Sequence, residues 1–251
     1  MQKIAEARAV LERAQRNTPL LTVAACLAIA VLGVWALRQS GRLDARPKGS
    51  PPTSLTSYAG AELFPALSPD GRSIAFTWTG LKDGQIDLYA RPVDAEPPIR
   101  LTNDPALECY PAWSPDGTQI AFLHCDGNMG GIRTEAEVYV VRASGGPKRK
   151  VGKVLLKAHD NVNSLAWIDG KHLVVRNRRL PQEQIGLFSL NIETGQMRQL
   201  TSPPLNYDDA SPAVSHDGRM LAFVRQTTTQ RGDILVQDLP AGAASARQIT
   251  H

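Results

Sequence analysis

A segment recurs four times after residue 54, and nothing else in the chain restricts its fold as strongly. The core of each copy is a tight corner: Ser68-Pro69-Asp70-Gly71, Ser114-Pro115-Asp116-Gly117, Trp167-Ile168-Asp169-Gly170 and Ser215-His216-Asp217-Gly218. Successive corner glycines stand 46, 53 and 48 residues apart. A short extended segment precedes each corner (FPAL, YPAW, SLAW, SPAV) and an apolar or alternating one follows it (SIAFTW, QIAFLH, HLVV, MLAFV). A third strand-like run comes next (DLYARP, EVYVVR, GLFSLN, DILVQD). Three units close on a hydrophobic-Thr pair, at Leu101-Thr102, Leu200-Thr201 and Ile249-Thr250, and the second closes around Lys150-Val151.

Each copy therefore reads as four short strands in up-and-down order. Proline fixes φ at the first corner of a type I turn, aspartate can bond its own backbone at the second, and glycine accepts the left-handed conformation that follows. A lone four-stranded sheet cannot cover both of its faces and must stack on neighbours, so a period in the forties predicts propeller blades. The fold class expected is all-β, a β-propeller-type array of about four four-stranded blades at residues 58–102, 103–152, 160–201 and 208–251, within a domain spanning 55–251.

The run of a Pro-containing strand, SPDG, IAF, an Asp-x-Tyr strand and a terminal Leu-Thr resembles the TolB-like β-propeller repeat family over about residues 55 to 251. Units one and two keep the whole motif, unit four has His216 in place of Pro, and unit three lacks both Ser and Pro and is lengthened around Asn177 to Gln184. Membership would imply a binding or sensing module without catalysis. In prolyl-peptidase relatives such a propeller precedes a hydrolase domain. An anchor, linker and propeller in this order also resemble the membrane and sensor part of bacterial CadC-like regulators, whose propeller lies outside the cytoplasm.

Ahead of the repeats, the 21 residues between Arg16 and Arg38 carry no charge. At about 1.5 Å per residue they would span roughly 31 Å as a helix, close to the hydrocarbon thickness of a bilayer. Residues 18–37 are thus expected to be a single transmembrane helix; the readings set against it are a buried core helix and a cleavable signal peptide. Residues 1–17 place Ile4, Ala7, Val10, Leu11 and Ala14 at helical spacing, and 38–54 read as a Pro/Gly/Ser-rich linker. Four Lys/Arg stand within 15 residues on either side of the span, so the positive-inside rule gives no orientation. The resemblance favours an extracytoplasmic, periplasmic propeller.

Charge bounds the partners. Residues 1–50 hold 8 of the 28 Lys/Arg but 3 of the 24 Asp/Glu, leaving 20 against 21 for the rest. A domain without net positive charge lacks the means to displace condensed counterions, so no nucleic-acid binding by the propeller is expected. A protein or peptide partner is. The basic stretch Lys148 to Lys157 and Arg176, Arg178 and Arg179 read as solvated loops.

No Gly-x-Ser-x-Gly elbow, His-Glu-x-x-His, Walker loop or Cys-x-x-Cys occurs, and no catalytic residue, metal ligand or cofactor is assigned. His124, His159, His172, His216 and His251 are scattered, and Asp70, Asp116, Asp169 and Asp217 are read as turn residues. Cys125-Asp126-Gly127-Asn128 lacks the distal Glu of a calcium loop. Cys109 and Cys125 flank one hairpin and are the candidate disulfide in an oxidising compartment. Counting back from Ser114 opposite Gln119 sets Glu108 opposite Cys125 and Cys109 opposite His124. Leu55-Thr56-Ser57-Tyr58 looks like one more terminal strand, which leaves an outer strand without its blade. The expectation is an incomplete ring that further blades or another chain would complete; the alternatives are an open four-blade arc and a small closed ring.

Overall fold

A computed structural model describes residues 54–80, 85–103, 105–125, 135–157, 162–227, 231–239 and 246–250, with Cys125 described in its backbone only. The helix, span and all but the last residue of the linker expected at 1–54, and the loop at 126–128, lie outside the described residues. Among the described residues no helix is long and apolar enough to cross a membrane.

The described part is all-β. Blade one holds β1 (Glu62–Leu67), β2 (Ser73–Trp78), β3 (Asp87–Pro92) and β4 (Ile99–Arg100), and blade two β5 (Leu107–Trp113), β6 (Gln119–Cys125), β7 (Glu135–Arg142) and β8 (Arg149–Leu155). Blade three holds β9 (Leu165–Trp167), β10 (His172–Asn177), β11 (Gly186–Asn191) and β12 (Met197–Gln199), and blade four β13 (Tyr207–Val214), β14 (Met220–Thr227), β15 (Gly232–Asp238) and β16 (Arg247–Gln248). Within each sheet the strands follow chain order and every pairing is antiparallel. The first strands β1, β5, β9 and β13 pack one against the next.

Strand alternation gives each blade two apolar faces, and the core lies between blades. Ala75, Leu88 and Ala90 of blade one meet Ile120, Phe122 and Val141 of blade two. Ala121, Leu123, Val138 and Val140 of blade two meet Leu173, Val175, Phe188 and Leu190 of blade three. Val174 and Leu187 of blade three meet Leu221, Phe223 and Leu235 of blade four. The leading face carries Ala, Val and Leu and the trailing face adds Phe to its aliphatic side chains, so successive sheets interdigitate. Leu101 and Leu200, from the terminal Leu-Thr pairs, are buried in these layers. The threonines extend the ladder: Thr102, Thr201 and Thr250 accept from the N–H of Leu88 (2.9 Å), Leu187 (2.8 Å) and Ile234 (2.8 Å).

Two indole bonds fasten blades at their first strands. Trp113 Nε1 donates to the carbonyl of Ala66 and Trp167 Nε1 to that of Ala112, both at 2.9 Å. The pairing of Trp113 with Ile120 and of Trp167 with Leu173 shows that these tryptophans are equivalent. The third corner is therefore one residue shorter than the others. This corrects the alignment of Trp167 with the corner serines.

Blades one, two and four share a β-bulge. Phe64, Tyr110 and Ser211 take φ of 51°, 55° and 50°, and each precedes a proline. The register shifts there, between Leu63 and Ala66, Cys109 and Ala112, and Ala210 and Ala213. Proline has no N–H for the ladder, and the bulge removes it from pairing. Blade three has Leu165 at this position and pairs in continuous register. The bulge also corrects the expected pairing near the cysteines: Glu108 faces His124, Cys109 faces Leu123 and Leu107 faces Cys125.

The two ends of the array differ. Residues 55–58 form no strand, contrary to expectation. They fold over the trailing face of blade one, where Tyr58 packs on Ile74, Phe76, Trp78 and Tyr89, its ring centroid 4.8 Å from that of Trp78. Buried Arg91 donates to the carbonyl of Leu55 and bridges Glu96 at 2.9 Å, and Trp78 Nε1 donates to the carbonyl of Ala59 at 2.9 Å. Burial, followed by its hydrogen bond to Glu96, pushes the Tyr58 hydroxyl up to about 12. At the other end, no sheet among the described residues covers the leading face of blade four. Ile234 is 39% exposed and Ile249 49%, whereas Leu88, Val138 and Leu187, the counterparts of Ile234, are fully buried.

Leu187→Ala should cost about 2–5 kcal/mol, the range for emptying a packed core position. Ile234→Ala should cost under about 1 kcal/mol. Denaturant unfolding of the two variants checks this; equal losses would mean that the leading face of blade four is covered.

Candidate functional site

The four corners converge on one mouth. Where the first strands end, a depression of about 310 Å³ is lined by one corner residue of every unit, Pro69, Pro115, Ile168 and His216. The residues that end the first strands, Leu67, Trp113, Trp167 and Val214, line it as well. Leu67 is 57% exposed, since among the described residues no blade lies beyond it to receive its side chain. A surface of proline, indole and aliphatic side chains suits an extended peptide segment.

The motif residues hold these corners rather than face the mouth. In blades one, two and four the serine hydroxyl donates to the aspartate at 2.6 Å and accepts an N–H five residues on at 2.9 Å. The aspartate also accepts the N–H of Arg72, Thr118 or Arg219 at 3.0, 3.0 and 3.1 Å. Gly71, Gly117 and Gly218 donate back to the serine carbonyl with φ of 69°, 69° and 71°, a conformation that favours glycine. His216 leaves this geometry unchanged, because proline contributes only a preset φ. The serine hydroxyls, with the backbone N–H, hold Asp70, Asp116 and Asp217 below the usual carboxylate range.

The shortened third corner has no serine, and His172 takes its place. Asp169 accepts from the N–H of Lys171 at 2.7 Å and of His172 at 2.8 Å, and sits 3.0 Å from His172 Nδ1. Partial burial opposes its ionisation, but these donors prevail and its carboxyl lies below the ordinary value. Gly170 completes the corner. Thus Ser68, Pro69, Asp70, Gly71, Ser114, Pro115, Asp116, Gly117, Asp169, Gly170, Asp217 and Gly218 all sit in corners; of these, Pro69 and Pro115 line the mouth. Sequence reading missed Leu67, Trp113, Ile168 and His216 as one surface, although their recurrence beside each corner was visible.

Toward the other end of the strands, charges are buried as pairs. Asp87 meets Arg100 and Thr102, Glu108 meets Lys148 at 3.2 Å, and Asp209 meets Arg225 through two bonds of 2.8 and 3.0 Å. Each carboxylate is fully buried beside a cation, a structural arrangement that is costly to break. The basic clusters are not solvated loops as expected. Lys150, Lys153 and Lys157 pair with Glu137, Glu135 and Asp208, and Arg176 and Arg178 are buried, bonding the carbonyls of Asp209 and Leu156. Arg179 alone of that group is exposed. Among the described residues no three His, Cys, Asp or Glu converge as a metal site. Cys109 is buried and disulfide-bonded.

The TolB beta propeller domain family matches residues 50–246. No curated protein matches the sequence. Among solved structures, TolB from Acinetobacter baumannii aligns with a TM-score of 0.60 and 20% identity, over 81% of this chain and 47% of that one. A putative TolB from Agrobacterium tumefaciens gives 0.54 and 17%, over 72% and 62%. A structure from a study of two prolyl endopeptidases gives 0.56 and 18%, over 75% and 28%. The chain spans less than two thirds of the length of each, and identities this low establish the shared fold alone.

Ser114→Ala removes a fully buried hydroxyl and should cost about 1–3 kcal/mol. Asp116→Asn should destabilise at neutral pH. The depressed folded value means that the carboxylate's contribution is present above the unfolded value of about 3.9 and is lost as pH falls through the folded one. The gap between wild type and Asp116→Asn, read from denaturation midpoints, should therefore close below about pH 4 and stay constant near neutrality.

Proposed function

Because the chain belongs to the TolB beta propeller domain family, we propose that it is a non-enzymatic binding module that takes an extended protein or peptide segment at the mouth between its four corners. The observation that carries this reading is the convergence of one corner residue from every blade on a single depression walled by proline, indole and aliphatic side chains.

We further propose that residues 18–37 anchor the module as a single span and that the propeller lies in the periplasm. The uncharged run of 21 residues supports the anchor, and the disulfide at Cys109 supports an oxidising compartment. Cys125, at the end of the strand paired with that of Cys109, is the proposed other half. The open leading face of blade four supports completion of the ring by a further β-sheet, from more blades or from another chain, since its Ala222, Val224, Ile234 and Val236 repeat the pattern that receives the next sheet in blades one to three.

A photo-crosslinking residue at Leu67 or Val214 of the full-length chain in cells should give discrete adducts that are absent when it stands at exposed Glu193 on the outer edge. Equal labelling at all three would refute a binding mouth. A reporter fused after His251 should be active only in its extracytoplasmic form, and cytoplasmic activity would overturn the localisation.

A further inference from the structure

A second cavity, of about 490 Å³, lies between blades three and four at the corner end. Its apolar lining comes from Ile168 and Leu239, and its polar lining includes Ser189, His172, Gln196 and Arg198. The volume is within the range of small-molecule sites. We propose that it binds a small organic carboxylate with an apolar body, the carboxylate on Arg198 and the body against Ile168 and Leu239.

The equivalent space between blades two and three is closed. There Arg149, paired with Val140, reaches across to the carbonyl of Ile192 at 2.6 Å. Arg198 holds the same place, paired with Ser189, and Leu239 corresponds to Ile192, since each donates its N–H to the residue after the corner glycine of its blade. Arg198 makes no such bond. Among the described residues its guanidinium has neither a hydrogen bond nor an ion pair, and the Ser189 hydroxyl likewise has no partner. Ser189 and Asn191 also replace the bulkier Val140 and Arg142, and the third corner is one residue shorter.

The free groups select the ligand's charge. Among the described residues Asp169 is the only acid lining the cavity, and its oxygens are occupied by two backbone N–H and the His172 ring. His172 Nε2 in turn lies 3.1 Å from Asn191 Nδ2. Among the described residues the polar groups left without a partner are one guanidinium, one hydroxyl and the Gln196 side-chain amide, all able to donate to a carboxylate, and the guanidinium does so in bidentate geometry.

Methyl-labelled isoleucine NMR on the full-length chain tests this with sodium hexanoate as probe. The Ile168 methyl should shift and saturate, while Ile234, on the opposite face of blade four, stays fixed and reports that the fold is intact. Hexanamide, the uncharged isostere, and Arg198→Ala should each weaken binding at least about tenfold, the loss of one charge-assisted bond. Arg198→Lys should fall between. Equal responses to hexanoate and hexanamide, unchanged binding in Arg198→Ala, or a silent Ile168 would overturn the proposal.

Discussion

The whole structure depends on the contact between the leading face of one sheet and the trailing face of the next. Neither face is covered within its own blade, so each sheet owes its burial to a neighbour. The division of labour is chemical. Alanine, valine and leucine on the leading side leave the hollows that phenylalanine and leucine on the trailing side fill. Indole bonds from Trp113 and Trp167 then fix how far one first strand slides along the next. The mouth inherits its shape from this alignment, because its lining is one residue from each corner held at a common height.

The corners show which parts of a motif matter. Serine and aspartate form a closed hydrogen-bonded unit with two backbone N–H groups, and glycine supplies the one backbone angle that other residues resist. Proline is dispensable, as His216 demonstrates with unchanged bonds. The reverse holds one strand earlier. The prolines after Phe64, Tyr110 and Ser211 coincide with the bulge in three blades, and the blade with leucine there has none.

Much of this was legible in the residues. The recurrence of the corner, its spacing and the alternation around it led to four-stranded blades, because a two-residue strand period and a fixed corner chemistry leave little freedom. What stayed hidden was set by single residues acting at a distance. One deleted corner residue shifted the alignment of Trp167, and one bulge shifted the partners of Cys109. Arg176 and Arg178 read as surface charges because sequence does not reveal that the carbonyls of Asp209 and Leu156 await them. The mouth was not foreseen because its residues lie beside the motif, where side chains vary from Pro to Ile to His.

The segment that covers blade one has a consequence for assembly. Because Tyr58 and the Arg91 clamp stopper one end while the other remains adhesive, the array has a polarity. A second molecule can approach the bare end of the first, but it meets a plug wherever it offers its own blade one. The uncovered face of the first copy would then meet Tyr58 and the Arg91 clamp of the second in place of a bare sheet, an arrangement that disfavours head-to-tail growth into a filament.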